Sequence, residues 1–425
     1  MKKRNLFCMG VLLFLFLAGG VKGDDVNDLK QQLKEQNELL LKMQQRLEQL
    51  EAKQTTQEQT IEKKISEVAE KKQTFALPEN VKWIENVKFY GDLRYRHESI
   101  DQESNGSQQP SNNRHRIRAR LGLTAKINDE WDLGLRIATG SSGDPTSTNQ
   151  TLENGFAKKS IWLDLAYFDY HPKAVKGLNV LGGKMPNPFY RVGENQLVWD
   201  GDVNPEGIAA KYVRSLTKSD KLYINGGGFW LEADDGSGVN DGEALWAAQT
   251  YLKHEFENKN HLLGGLSYYM FGNVRGKPVF FNKPLGNTTT GGSYTMNYNV
   301  VEGFAEYGFK AFDLPSTVYG SYIKNTDAAT SKDSAWVVGT TFNNAKDPGT
   351  WQLGYNYRVV QNDATLGTFT DSDFIGGGTN GKGHELSGKY QLTKNVQLGL
   401  TYIIAQRGAN DDDYRRLMAD IIFKF

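Results

Sequence analysis

The stretch Arg114–Ile127, RHRIRARLGLTAKI, decides the fold. His115, Ile117, Ala119, Leu121, Leu123, Ala125 and Ile127 alternate with Arg114, Arg116, Arg118, Arg120, Gly122, Thr124 and Lys126. A period of two is the signature of a strand with two unlike faces. The preceding segment repeats it, with Val87, Phe89, Gly91, Leu93 and Tyr95 on one face and Lys88, Tyr90, Asp92, Arg94, Arg96 and Glu98 on the other. In a soluble sandwich the apolar face would pack against a second sheet. In a membrane barrel it would face lipid and the arginines would face a watery lumen.

Counting such segments outward from this hairpin separates the two readings. Sixteen candidate strands centre near Leu93, Leu121, Leu135, Leu165, Leu181, Ala210, Gly226, Thr250, Leu266, Ala305, Gly320, Val338, Tyr355, Ser387, Leu400 and Ile421. Short links such as Asn128–Glu130, His171–Gly177, Ser215–Asp220 and Phe312–Pro315 alternate with long polar ones. The long set is Ser99–Asn113, Gly140–Lys159, Met185–Asn204, Gly272–Asn297 and Gln361–Gly381. Short periplasmic turns and long external loops on an even number of antiparallel strands are the pattern of an outer-membrane barrel. A sandwich has no reason to keep that alternation. The closing strand ends with Leu417, Ala419, Ile421, Phe423 and Phe425 on one face, and a terminal Phe resembles the sorting signal of bacterial outer-membrane proteins.

Composition agrees. The chain has 425 residues, 45 of them Gly, with a single Cys, and Lys plus Arg equals Asp plus Glu at 50 each. That balance removes the electrostatic case for nucleic-acid binding, and one Cys excludes an intramolecular disulfide framework. Mean hydropathy is −0.57, and no apolar run approaches the roughly 20 residues a membrane helix needs. Lys2, Lys3 and Arg4 precede the apolar stretch Leu6–Ala18, so residues 1–23 read as a secretory signal cleaved near Gly20 or Gly23, taking Cys8 with it.

Residues 24–73 carry Lys, Glu, Gln and Leu without Gly, Pro or aromatic side chains, and spacings of three and four link Val26, Leu29, Leu33, Gln36, Leu40, Met43, Leu47 and Leu50. This predicts a helical coiled coil roughly 70 Å long. The stripe is too narrow to cover a globular core, so the helix pairs with copies of itself or serves as a solvated spacer. The domain reading is therefore a signal at 1–23, a periplasmic coiled-coil segment at 24–73 and a barrel at 74–425.

Phe89–Glu98 (FYGDLRYRHE), Asn113–Leu123 (NRHRIRARLGL), Leu197–Tyr212 (LVWDGDVNPEGIAAKY) and the closing IIFKF resemble the Putative porin family of Gram-negative outer-membrane proteins. The resemblance implies an exported coiled coil joined to a barrel, passive diffusion of small hydrophilic solutes, and no particular substrate. By analogy with porins the expected assembly is a homotrimer in outer-membrane lipid.

The residues add a pore hypothesis. If Glu98 pairs with Arg114, then Arg96 faces Arg116, Arg94 faces Arg118 and Asp92 faces Arg120. Directly opposed like charges destabilise a sheet, so acidic neighbours such as Asp132 and Asp164 must brace them, or a passing anion must. The pore-lining candidates are Arg94, Arg96, Arg114, Arg116, Arg118, Arg120, Arg136, Lys184, Arg191 and Glu194, and their local cationic excess favours anions. The Met185–Asn204 connection is read either as a surface loop or as an inward constriction, where Arg191 and Glu194 would create a transverse field. Asp411–Asp413 lack the alternate spacing of a calcium loop, and no HExxH, CxxC, GxSxG or phosphate-loop pattern occurs. No enzyme, metal or cofactor is expected. The competing function is a stalked barrel acting as an adhesin or as a tether between outer membrane and cell wall.

Overall fold

The computed structural model describes residues 31, 34–35, 37–50, 52–53, 56, 60, 63, 79–233 and 242–425. The expected signal segment and much of the heptad stretch lie outside the described residues. The chain divides into two units, Met1–Lys82 and Trp83–Phe425. In the first, residues 37–50 form a helix, and Leu40, Met43, Leu47 and Leu50 on its expected seam are all more than half exposed.

The second unit is a closed antiparallel barrel. Among the described residues its sheet holds eighteen strands, two of which are two-residue stubs. The sixteen that form the wall are β1 (Val87–Ser104), β2 (Asn112–Lys126), β3 (Trp131–Thr139), β4 (Ile161–Tyr170), β5 (Leu178–Lys184) and β6 (Glu206–Ser215). They continue as β7 (Asp220–Glu232), β8 (Glu243–Glu255), β9 (His261–Phe271), β10 (Tyr298–Ala311) and β11 (Leu314–Asn325). The last five are β12 (Ser334–Phe342), β13 (Trp351–Val360), β14 (Gly381–Gln391), β15 (Val396–Arg407) and β16 (Asp412–Lys424). Every one of the sixteen expected centres falls within its strand.

Each strand pairs with its sequence neighbours, and β16 pairs with β1 from Asp92↔Lys424 to Gln102↔Tyr414. The first hairpin takes the register read from sequence, with Glu98↔Arg114, Arg96↔Arg116, Arg94↔Arg118 and Asp92↔Arg120. The outward face carries exposed Leu93, Tyr95, Leu121, Trp246 and Leu266, whereas inward Arg96, Glu98, Gln249 and Glu302 are buried. Contiguous exposed apolar surface on this scale would be an aggregation hazard in water and is the lipid band of a membrane barrel.

One loop boundary differs from expectation. Ser99–Asn113 was read as a loop, but β1 continues to Ser104 and leaves only 105–111 to turn the chain. Its upper half, SIDQES, lacks apolar alternation because it stands beyond the apolar band, and backbone pairing to β16 holds it extended.

Closure ends on a close contact. The Gly91 and Phe425 amides each donate to the other's carbonyl, at 3.1 and 3.2 Å. A Cβ on Gly91 would lie 2.6 Å from the Phe425 ring, so the ring occupies the space that the glycine leaves. Phe425→Asp removes this contact and places a charge near the interface, for an expected loss on the order of 1 kcal/mol of barrel stability. Heat-modifiability on gels should show a smaller folded fraction, and an unchanged fraction would count against the seam reading.

Candidate functional site

The arginine face is braced by Asp92 and Glu98 within the first hairpin and by Asp373 and Asp420, which are distant in sequence. Glu98, with a fully buried side chain, accepts from Arg114 Nε at 2.7 Å and from Arg416 Nη2 at 3.0 Å, and lies 3.5 Å from Arg96 and Arg116. Arg96 donates through Nε and Nη2 to both oxygens of Asp420, at 2.7 and 2.8 Å, a bidentate pair of the strong kind. Asp373, from the 361–380 loop, lies 3.0 Å from Arg96 and 2.8 Å from Arg416. Asp92 takes Arg118 at 2.8 Å and Arg120 at 2.7 Å, and Asp202 adds a longer contact to Arg120. Arg136 pairs with Asp164, while Asp132 accepts from His171 at 3.2 Å instead of bracing an arginine.

Arg94 stands outside this pattern. Among the described residues its side chain makes one hydrogen bond, from Nη2 to Asn149 Oδ1 at 2.5 Å, and its Nε is buried without a partner. Arg116 also reaches Asn149, through the backbone oxygen at 3.4 Å, and its Nε is likewise unpartnered.

The Met185–Asn204 connection turns inward. Met185, Phe189, Val192, Leu197 and Trp199 are buried against inward side chains such as Phe229, Tyr269 and Phe304. Tyr190 donates to Glu306 Oε2 at 3.0 Å on β10, and Gln249 on β8 bonds both backbone groups of Tyr190. A Cβ on Gly193 would lie 2.4 Å from the Tyr319 ring, and its φ of 58° is a conformation glycine adopts freely. This glycine lets the loop touch β11. Loop 361–380 folds in beside it, with Asp200 N donating to Phe369 O at 2.7 Å and Ser372 N donating to Asp200 Oδ2 at 2.9 Å. Burial, then the Asp371 and Asp202 carboxylates, push the Asp200 carboxyl well above the usual range.

The wall therefore gathers Arg94, Arg96, Arg114, Arg116, Arg118 and Arg120, with Arg136 on the next strand. Arg191 serves its own loop, donating to the carbonyls of Asn195 (3.3 Å) and Trp199 (3.0 Å). Glu194 is exposed on a cavity of about 210 Å³ that Arg358, Glu385 and Lys389 also line. Lys184 is not brought to the wall. It pairs with Glu206 at 2.7 Å, and Glu206 shares a face with lipid-exposed Ile208 two residues on.

Sequence reasoning missed Arg416, although the closing-strand alternation puts it on the same face as Met418 and Asp420. It also missed Asp373 and Asn149, which lie in loops with no periodicity to announce them.

An even-stranded barrel with short turns at one end, an inward loop and a charged wall is the architecture of a porin-type channel. A model of the family described as Putative porin matches residues 103–299 and 292–412, and the chain belongs to that family. No curated protein matches. Among solved structures, Pseudomonas putida OprB at high pH aligns with a TM-score of 0.52 and 14% identity, covering 80% of this chain and 95% of that one. Salmonella typhi OmpF in complex with daunomycin aligns at 0.50 and 14% identity, covering 80% and 97%. At that identity the likeness is one of fold.

Two predictions concern the bracing. Arg416→Leu leaves Glu98 and Asp373 short of a counter-charge, and breaking such a buried pair costs about 3–5 kcal/mol. Denaturant titration in detergent should show the fall, and a midpoint within error of wild type would remove Arg416 from the network. For Asp373, burial alone would raise the carboxyl, but Arg416, Arg96 and Arg94 outweigh it and hold the group well below the usual range. A depressed carboxylate stabilises fully above its unfolded value of about 4 and loses that contribution only as pH falls through the lower folded value. Limited proteolysis of loop 361–380 should thus be constant from pH 5 to 8 in wild type and faster throughout in Asp373→Asn. A wild-type change within that window would contradict the assignment.

Proposed function

We propose that the chain is a passive diffusion channel of the outer membrane for small hydrophilic solutes, with a preference for anions. The observation that supports this is the clustering of guanidinium groups on the inward face of β1, β2 and β16. An unscreened unit charge at about 4 Å contributes roughly 1 kcal/mol even in water, enough to bias permeation several-fold. The bias should shrink as salt shortens the Debye length. Arg191 secures the loop internally in this reading, and Glu194 faces the cavity.

The assembly proposed is a homotrimer whose heptad helices lie in the periplasm and pair with one another, after removal of residues 1–23 on export. The exposed Leu40, Met43, Leu47 and Leu50 supply the surface for that pairing.

Single-channel recording in planar bilayers tests the channel. Stepwise conductance with reversal potentials toward chloride in a potassium chloride gradient is the expected outcome, and an inserted barrel without conductance would indicate an adhesin or tether. Arg116→Gln should move the reversal potential toward cations while the barrel stays folded, and no shift would withdraw the anion preference. Deleting residues 24–73 should leave an inserted barrel with weaker oligomers in mild detergent; unchanged oligomer resistance would mean the heptads are not an assembly device.

A further inference from the structure

We propose that Arg94 and Arg116, capped by Asn149, form a discrete binding site for a small oxyanion, a carboxylate or inorganic phosphate. The site rests on the channel reading for its access route but not for its chemistry. Arg94 is nine-tenths buried, and its Nε lacks any partner. Among the described residues no carboxylate lies within ion-pair distance of it. A cation removed from water without a counter-charge is strongly unfavourable, and proteins retain buried charges that are paired. Every other guanidinium of the wall has an acidic partner, so one anion is missing from the set.

The geometry says where it belongs. The Arg94 and Arg116 head groups converge on one residue, touching the side-chain and backbone oxygens of Asn149. Strand pairing puts them at diagonal positions of the square Arg94, Arg96, Arg116, Arg118. Arg96 and Arg118 are already engaged by Asp420 and Asp92. Within this square the buried donors left without a partner are the Nε–H groups of Arg94 and Arg116. The 146–149 segment adds one donor, since buried Ser147 accepts at Oγ from Asn149 N at 3.4 Å and Nδ2 at 3.2 Å and keeps its hydroxyl proton to donate. Planar guanidinium forks match the paired oxygens of carboxylate and phosphate better than they match a spherical halide. Oxyanions should therefore bind here more tightly than chloride, which passes. An ion held in this way makes Arg94 a stopping point on the permeation path.

Thermal unfolding of the full chain in detergent at pH 7 tests binding independently of conductance. Sodium phosphate should raise the wild-type midpoint by about 2–4 °C over sodium chloride of equal ionic strength. Arg94→Gln should abolish that rise. Arg94→Lys, which keeps the charge without the fork, should retain a reduced rise and serves if the Gln variant fails to fold. Lys126→Gln, at the exposed end of β2, should respond as wild type. In bilayers, phosphate should reduce the chloride current with a half-blocking concentration at least about tenfold higher in Arg94→Gln. Equal phosphate shifts in wild type and Arg94→Gln, or none in wild type, would overturn the site. A phosphate shift in wild type that Arg94→Gln abolishes, in a protein without conductance, would keep the site and sink the channel reading.

Discussion

The requirement on which everything else depends is that no backbone group be left unpaired in lipid. A sheet meets it only by having no edge. Here the β1–β16 seam supplies the missing edge partners, from Asp92↔Lys424 to Gln102↔Tyr414, and the Gly91–Phe425 pair finishes it at the chain terminus. Once the sheet is closed, strand alternation leaves each side chain only two places to go. Leu93, Leu121 and Leu266 must meet lipid, and the arginines between their neighbours must meet the lumen. The charged interior is thus a consequence of closure as much as a device of its own.

A sixteen-stranded ring is too wide for wall side chains alone to fill. The space is taken by chain folded back from the long-loop end, and the two sides of the lumen receive it differently. Along β7–β12 the inward residues include Phe229, Tyr269, Phe304 and Tyr319, and the 185–205 loop buries Phe189, Leu197 and Trp199 against this side. Each such side chain contributes about 1.5–3 kcal/mol when fully buried, which holds the loop across the barrel without a covalent tie. Along β1, β2 and β16 the wall is ionic, and what reaches it is polar: Asn149, Asp202 and Asp373. Apolar packing anchors the loop on one side, while polar loop residues cover the ionic wall on the other.

How much of this was legible in the sequence follows from which features have a local period. Alternation is local, so all sixteen strands and the register of the first hairpin could be read from residue order alone. The arginine ladder was legible for the same reason. Its counter-ions were only half so: Asp92 and Glu98 share the strand, but Asp373 sits in a loop with no pattern, and Asp420 meets Arg96 only because the barrel closes across 324 residues of sequence. Lys184 illustrates the opposite failure. Its charge suggested the lumen, whereas its register with Glu206 and the exposure of Ile208 put it on the outer face near the strand end, where a charge can reach water.

The opposed arginine pairs explain why such a wall is tolerable. Arg96 facing Arg116 and Arg94 facing Arg118 repel across a cross-strand distance of about 5 Å, and nothing within the hairpin neutralises Arg94. Asp420 arrives with β16 at closure, and Asp373 arrives when the 361–380 loop docks. The ladder's electrostatics are consequently coupled to two long-range features of the fold, the seam and the inward loop. A hairpin detached from them would be strained by its own charge. Arg94, the wall arginine without an ion pair among the described residues, feels Asp373 and Asp420 only at longer range and keeps more uncompensated positive potential than its neighbours, and a local excess of that kind acts on ions that pass close to it.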